Sequence, residues 1–208
     1  MSKNEIMFKI ITLGDSGVGK TSIIRRYANN IFDESIMSTV GVGFAFKEVE
    51  LKNKKKVKLK LIDTAGQEKF KSLAKSYFKN VDGVLFVYSF EIAESFENLK
   101  EWIKLFNTSH NGKTGVPMIL VGNKSDLEEE EQIKNNDKLV DDFLEEFKEF
   151  KYYKTSAKEN ISINDLFEDL AEEIYSKEKE EGKKGHNVVK LQNFDVKKNH
   201  CRCRANNA

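Results

Sequence analysis

An octapeptide, GDSGVGKT at residues 14–21, constrains this chain more than any other stretch of it. It follows an apolar run, IMFKIITL, and opens a segment with helical spacing. A loop of inward-pointing backbone N–H groups can close around an anion only where no Cβ atoms block it, which is what glycine allows. Gly14, Gly19, Lys20 and Thr21 satisfy the spacing G-x-x-x-x-G-K-[S/T], and the ligand that fits is a polyphosphate. In that reading Asp15, Ser16, Gly17, Val18 and Gly19 supply the cradle and Ser22 stands just inside the helix. Lys20 reaches the outer phosphates as a compact charge, and Thr21 offers its hydroxyl to Mg2+. The helix beginning there adds its positive dipole end. A glycine-rich turn without a ligand is the alternative, and the strand before it and the helix after it weigh against that.

The rest of the chain supplies the scaffold such a loop needs. IMFKIITL, GVLFVYSF and VPMILVGN are short apolar runs bounded by polar or turn residues, as expected of strands buried on both faces. In ESFENLKEWIKLF the apolar positions Phe96, Leu99, Trp102, Ile103 and Phe106 recur three or four apart, and so do Ile163, Leu166, Leu170 and Ile174 in INDLFEDLAEEIY. Both stretches read as amphipathic helices, with Trp102 in the core. FAFKEVELKNKKKVKLKLID is different, with two alternating runs flanking an Asn-containing turn, the pattern of an antiparallel hairpin. The fold class is therefore α/β: a three-layer, mostly parallel six-stranded sheet with one antiparallel edge strand and helices on both faces.

The domain occupies residues 1–178. Residues 179–208 lack a sustained apolar period and read as a flexible tail. The acidic run at 128–131 reads as a solvated helix approach or loop. With 35 Lys plus Arg against 34 Asp plus Glu, net charge gives no support to a broad nucleic-acid surface. The opening residues are too short in apolar length for a secretory signal, and no run reaches membrane-spanning length. Cys201 and Cys203, the two cysteines, are too close in sequence to staple a core, which favours a reducing, cytoplasmic setting.

Three further motifs narrow the chemistry. LIDTAGQEKF places Asp63 at the phosphate-facing end of a strand, where a carboxylate can hold Mg2+ through its waters. Gly66 leaves room for a backbone N–H at the terminal phosphate, and Gln67 is an amide able to orient a water for in-line attack. In VGNKSD, Asp126 can accept two N–H donors from guanine that adenine does not offer. Asn123 braces that loop, and the Lys124 stem can lie over the ring. TSAK supplies a backbone N–H at Ala157 for the guanine carbonyl, with Ser156 able to bond Asp126 and Lys158 beside it.

GDSGVGKT, STVGVGF, DTAGQEKF, NKSD and SAK, in this order and spacing, resemble the small GTPases of the Ras superfamily, in particular the Rab branch, over roughly residues 5–178. The resemblance implies a switch that binds effectors when loaded with GTP and releases them after hydrolysis to GDP, commonly in vesicle trafficking. It implies Thr39 as a Mg2+ ligand sensing the γ-phosphate, Phe32 stacked on the guanine edge, and a catalytic set of Gln67, Lys20, Thr39 and Gly66. It also implies an exchange factor, a GTPase-activating protein, a dissociation inhibitor, a monomeric domain, no nucleic acid, and cycling to the cytosolic face of intracellular membranes. A nucleotide-loaded scaffold with little hydrolysis is the other reading. It is suggested by Ile36, Gly43 and Ile62, the last standing where an exposed triad with Phe44 and Tyr77 is expected; Ser89 also departs from the usual pattern. At the end of the chain, CRC resembles a geranylgeranylation motif at Cys201 and Cys203, yet RANNA follows it and no C-a-a-X box is present. Unmodified thiols, or a metal contact with His200, remain alternatives there.

Overall fold

The computed structural model describes residues 6–35, 39, 41–66, 75–110, 115–128 and 130–182. Its elements are β1 (Met7–Leu13), α1 (Lys20–Asn29), β2 (Val42–Glu50), β3 (Lys56–Thr64), β4 (Gly83–Ser89) and α2 (Glu94–Glu97). There follow α3 (Leu99–Ser109), β5 (Met118–Asn123), a 3-10 turn (Ser125–Leu127), α4 (Glu130–Glu146), β6 (Phe150–Lys154) and α5 (Ile163–Gly182). The strands form one sheet in the order β2-β3-β1-β4-β5-β6. Every pairing is parallel except that of β2 with β3. The anticipated fold class is the one observed.

Alternation along the central strands splits the core in two. In β1, Phe8 and Ile10 face the layer that holds Ile23 and Tyr27 of α1 and Leu166, Phe167 and Leu170 of α5. Ile11 and Leu13 face the opposite layer, with Trp102 and Phe106 of α3 and Phe143 of α4. β4 is buried along its whole length, since both of its faces are covered. β2 is not: its positions alternate between exposed and covered, as an edge strand with one wet face must.

Three expectations need correction. The segment ESFENLKEWIKLF is two helices, α2 and α3, separated by Asn98, whose backbone stays right-handed at φ −70°. The side chain of Asn98 is committed elsewhere, to Asp15. Glu128, in the acidic run read as solvated, has a side chain only 3% exposed and pairs with Lys154. Ile62 is wholly buried among Ile11, Phe78 and Phe86, so no exposed triad forms. Phe44 and Tyr77 alone remain in tilted ring contact at 5.6 Å. The last helix runs to Gly182. The tail with Cys201 and Cys203, together with Ile36 and Gln67, lies outside the described residues.

Candidate functional site

The C-terminal ends of the strands converge on one side of the sheet, and the loops they emit enclose a cavity of about 370 Å³. Ser16, Gly17, Gly19, Lys20, Thr21 and Ser22 line it after β1. Thr39, Thr64 and Gly66 line it from the side of β2 and β3, and Asn123, Lys124, Asp126, Ala157 and Lys158 from β5 and β6. Phe32 is there too, half-buried, with the Arg26 guanidinium 5.8 Å from its ring centroid.

Two of the glycines that space requires line this cavity. Gly19 has φ +95°, and a Cβ built on it would lie 2.2 Å from Nδ2 of Asn123. A Cβ on Gly66 would lie 2.2 Å from the carbonyl carbon of Asp15. The phosphate loop is thus gripped between the base-side motif and the loop after β3, without side chains in the way.

Lys20 is buried, and its Nζ donates to the carbonyls of Gly14 at 2.8 Å and Asp15 at 2.6 Å. Burial pulls its pKa down to about 8 against the opposing attraction of Asp63 and Asp15. An anion beside it would restore the ordinary preference for charge. Thr21 Oγ1 donates to Oδ2 of Asp63 at 2.7 Å and lies 2.7 Å from Oγ1 of Thr39, which in turn reaches Asp63 Oδ2 at 3.4 Å. Burial raises the Asp63 pKa, opposed by the Thr21 bond and by Lys20. Its other oxygen, Oδ1, is buried with no hydrogen-bond partner.

Two hydroxyls converging on a carboxylate with an orphaned oxygen are the donor set of a hard divalent cation. Among the described residues no group of three or more His, Cys, Asp or Glu could hold a metal. One carboxylate with hydroxyls fits Mg2+, which keeps several waters and shares phosphate oxygens, better than it fits a metal that demands a full protein cage.

At the other end Asn123 is buried and spans three segments. Its Nδ2 donates to the Val18 carbonyl at 2.9 Å, while its Oδ1 accepts from Thr155 Oγ1 at 3.2 Å and from the Ala157 N–H at 3.3 Å. Ser156 Oγ donates to Oδ1 of Asp126 at 2.5 Å, as the sequence suggested. Lys124, held at φ +62°, pairs with Glu91, and Lys158 pairs with Glu34 at 3.1 Å.

Among the described residues, four of those anticipated do not line the cavity. The Asp15 carboxylate turns away to α3, the Val18 side chain is in the core, Ser156 stands behind Asp126, and Asp63 lies beneath Thr21. The Ala157 N–H, expected at a base carbonyl, is engaged with Asn123. Conversely Arg26, Glu34 and Glu91 were missed. Arg26 carried no signal in the sequence, because its partners are carbonyls 131 and 132 residues away.

A strand-loop-helix phosphate cradle at the carboxyl edge of a mostly parallel sheet, with a hydroxyl–carboxylate pair beside its lysine, defines a P-loop nucleotide-binding protein. The Ras family profile matches residues 9–176. Similar proteins include Ras-related protein Rab-10 of Diplobatis ommata, 37% identical over 173 residues, covering 83% of this chain and 84% of the relative. Ras-related protein Rab-13 of Rattus norvegicus is 34% identical over 191 residues, 92% of this chain and 90% of the relative. Ras-related protein Rab-8 of Diplobatis ommata is 35% identical over 175 residues, 83% and 80%. The chain belongs to the Ras family and is a Rab-type small GTPase, a GTP-binding and GTP-hydrolysing switch of vesicle trafficking.

Proposed function

We propose specific roles for the residues of that switch. Asp15 to Ser22 form the phosphate cradle, with Lys20 on the outer phosphates. Thr21, Thr39 and Asp63 hold Mg2+, which when bound neutralises charge on the phosphate oxygens. Asn123, Lys124 and Asp126, with Ser156, Ala157, Lys158 and Phe32, take the guanine, the Asp126 carboxylate accepting both of its donor N–H groups. Gln67 orients a water against the terminal phosphorus. A bond forms from that water to phosphorus as the bond to the bridging oxygen breaks, leaving GDP and phosphate. Gly66 and Thr39 are the two points at which the loops answer to the terminal phosphate, so its loss frees both together.

The observation carrying this reading is the meeting of Thr21 and Thr39 at Oδ2 of Asp63, whose other oxygen is buried without a partner, next to a lysine whose charge burial disfavours. Thr39 comes from the segment before β2, Asp63 from β3 and Thr21 from α1. A cation and a phosphate bound there would tie all three together.

The finer biology follows the same reading. Hydrolysis is slow alone and is accelerated by an activating protein; an exchange factor reloads GTP, and a dissociation inhibitor and effectors recognise the two states. The domain spans residues 1–178, and residues 179–208 form a tail carrying lipids at Cys201 and Cys203, so that the protein cycles between cytoplasm and the cytosolic face of intracellular membranes. No described helix is long and apolar enough to cross a membrane. The deciding experiment is single-turnover hydrolysis by Gln67→Leu: GTP affinity stays close to wild type while hydrolysis slows at least about tenfold. Unchanged hydrolysis removes Gln67 from the mechanism, and calorimetry showing no uptake of GDP with Mg2+ by stripped protein removes the whole assignment.

A further inference from the structure

The two segments assigned to the base leave the sheet side by side, NKSD from β5 and TSAK from β6, with Gly122 and Lys154 opposite each other in the last registered pair. Backbone bonds tie them together close to the sheet. The Thr155 N–H donates to the Gly122 carbonyl at 2.7 Å, and the Ser125 N–H to the Thr155 carbonyl at 3.1 Å. A charged joint crosses between them as well, from Lys154 to Glu128. In sequence this joint brackets the reading residues. Glu128 stands two positions after Asp126, and Lys154 two positions before Ser156, whose hydroxyl donates to Asp126 Oδ1 at 2.5 Å. Neither Glu128 nor Lys154 lines the cavity.

The joint has supports of its own. Oε2 of Glu128 faces the Lys154 ammonium, while Oε1 accepts the Asn136 amide of α4 at 2.8 Å. The same ammonium lies 5.0 Å from the centroid of the Phe90 ring, and the Phe90 N–H donates to the Asn123 carbonyl at 3.1 Å. One side chain at the end of β6 thus stands against both the stretch after β5 and the stretch after β4. The neighbourhood is dry. Burial, chiefly, pushes the Tyr152 hydroxyl up to about 12, and the Glu128 charge adds to the rise. Opposite charges attract more strongly there than at an open surface, where water and salt screen them.

Stability alone does not account for a charged pair in this place. Desolvating both charges offsets much of their attraction, and an apolar pair of similar volume commonly holds a fold as well. What an apolar pair lacks is direction. We propose that Glu128 and Lys154 are positioning residues for the base. Their pairing fixes the two loops against each other, so that Ser156 stays in register with Asp126 and both carboxylate oxygens of Asp126 meet the two donors of guanine. The inference deepens the assignment of Asp126 as the reader of the base and rests on it. With the joint gone the loops slide past each other. The loss falls on the two-point grip that separates guanine from a base with a single donor on that edge.

Inosine diphosphate is the probe, since hypoxanthine keeps the ring N–H of guanine and lacks its exocyclic amine. The nucleotide-free full chain, with Mg2+, is offered GDP and inosine diphosphate in competition with a fluorescent GDP analogue, and the ratio of the two affinities is read. Wild type is expected to prefer GDP at least about tenfold. The double variant Glu128→Gln, Lys154→Met strands no charge and leaves Asn136 its acceptor, and its preference is expected to fall about fivefold. Lys154→Arg still reaches Glu128 and is expected to keep the ratio within about twofold of wild type. A role in folding alone would weaken both nucleotides alike and leave the ratio where it was. Glu128→Gln by itself frees Lys154 to turn to water and should move the ratio the same way, so it carries the test if the double variant does not fold. A wild-type ratio in variants that melt in one cooperative transition refutes the positioning role alone, and so does a Lys154→Arg ratio as low as that of the double variant. Wild-type protein that takes up GDP with no preference over inosine diphosphate refutes Asp126 as the reader of the base, and the role of the pair with it.

Discussion

The indole N–H of Trp102 donates to Oδ1 of Asp15 at 2.8 Å, so the second residue of the phosphate loop is fastened to helix α3 from the side opposite its ligand cavity. Asn98 holds the other carboxylate oxygen at 2.7 Å. The backbone of Asp15 is the part that matters for binding: its carbonyl receives Lys20, and its peptide group touches Gly66. A slack in this fastening therefore displaces both groups assigned to the outer phosphate. Trp102→Phe keeps an aromatic ring in the core, at the cost of some volume, and removes one donor to a carboxylate, worth about 1.5–3 kcal/mol. We expect folded protein whose GDP dissociation, followed with a fluorescent analogue, is about tenfold faster. Asn98→Ala should act in the same direction, and the double variant should fall short of the summed effects because both donors serve one carboxylate. Dissociation at the wild-type rate in both single variants would show that the fastening does not reach the ligand.

Arg26 closes the other side of the cavity. Its Nε donates to the Ala157 carbonyl at 2.8 Å and its Nη2 to the Lys158 carbonyl at 3.1 Å, while Nη1 reaches Asn30. Only a planar fork spans two successive carbonyls and the end of α1 at once. Arg26→Lys keeps the charge but one bond at best. We expect it to loosen the base-side loop and speed GDP release several-fold, leaving the Mg2+ dependence of release unchanged, because Thr21, Thr39 and Asp63 are untouched. A shift in the Mg2+ requirement would mean that Arg26 acts on the phosphate end as well.

How far the sequence could be read follows from the range of each interaction. The phosphate loop was legible because its chemistry is local: three glycines, Lys20 and the hydroxyl of Thr21 dictate the turn and the ligand together. The central strands β1, β4 and β5 were legible because burial on both faces leaves short, mostly apolar runs, and the β2–β3 hairpin because its residues alternate. The joints between distant segments were not. Asp15 and Trp102 are 87 residues apart, and a tryptophan on an apolar helical stripe looks like packing alone, though its N–H is what locks the loop. The acidic run hid one buried member, Glu128, because nothing nearby in sequence marks Lys154 as its partner. Ile62 looked like an exposed substitution, yet the packing of Phe78 and Phe86 against it makes it core.

That hidden pair is open to a stability measurement. The Glu128 side chain is 3% exposed, bonded to Lys154 and receiving the Asn136 amide at 2.8 Å, while the Lys154 side chain keeps 36% exposure. Removing one partner of a buried pair leaves an uncompensated charge, but Lys154 can still turn to water. Glu128→Ala is therefore expected to cost about 2 kcal/mol, below the fully buried range. Denaturant midpoints at constant slope measure it. Adding Lys154→Met should recover part of the loss, since Lys154 is then no longer left without its carboxylate. No recovery would mean that the Glu128 bond to Asn136, and not its pairing with Lys154, carries the stability.

In the proposed set of roles Asp126 is the residue that selects the base. Its Oδ1 is held by Ser156 at 2.5 Å, and the Ser156 hydroxyl in turn accepts the Glu159 N–H at 3.0 Å, so the carboxylate is aimed before any ligand arrives. A carboxylate accepts both N–H donors on one edge of guanine. An amide in its place offers a donor where the exocyclic amine of guanine also donates, and that mismatch leaves buried polar groups unpaired. Xanthine carries a carbonyl at that position and restores the match. Asp126→Asn should thus lose at least about a hundredfold in GDP affinity and gain affinity for xanthosine diphosphate. Competition between the two diphosphates for the stripped variant reads the ratio directly. The reversal requires the aim of the side chain to survive, and an amide oxygen can still accept from Ser156. If the variant loses GDP without gaining the xanthine nucleotide, Asp126 shapes the loop and does not read the base.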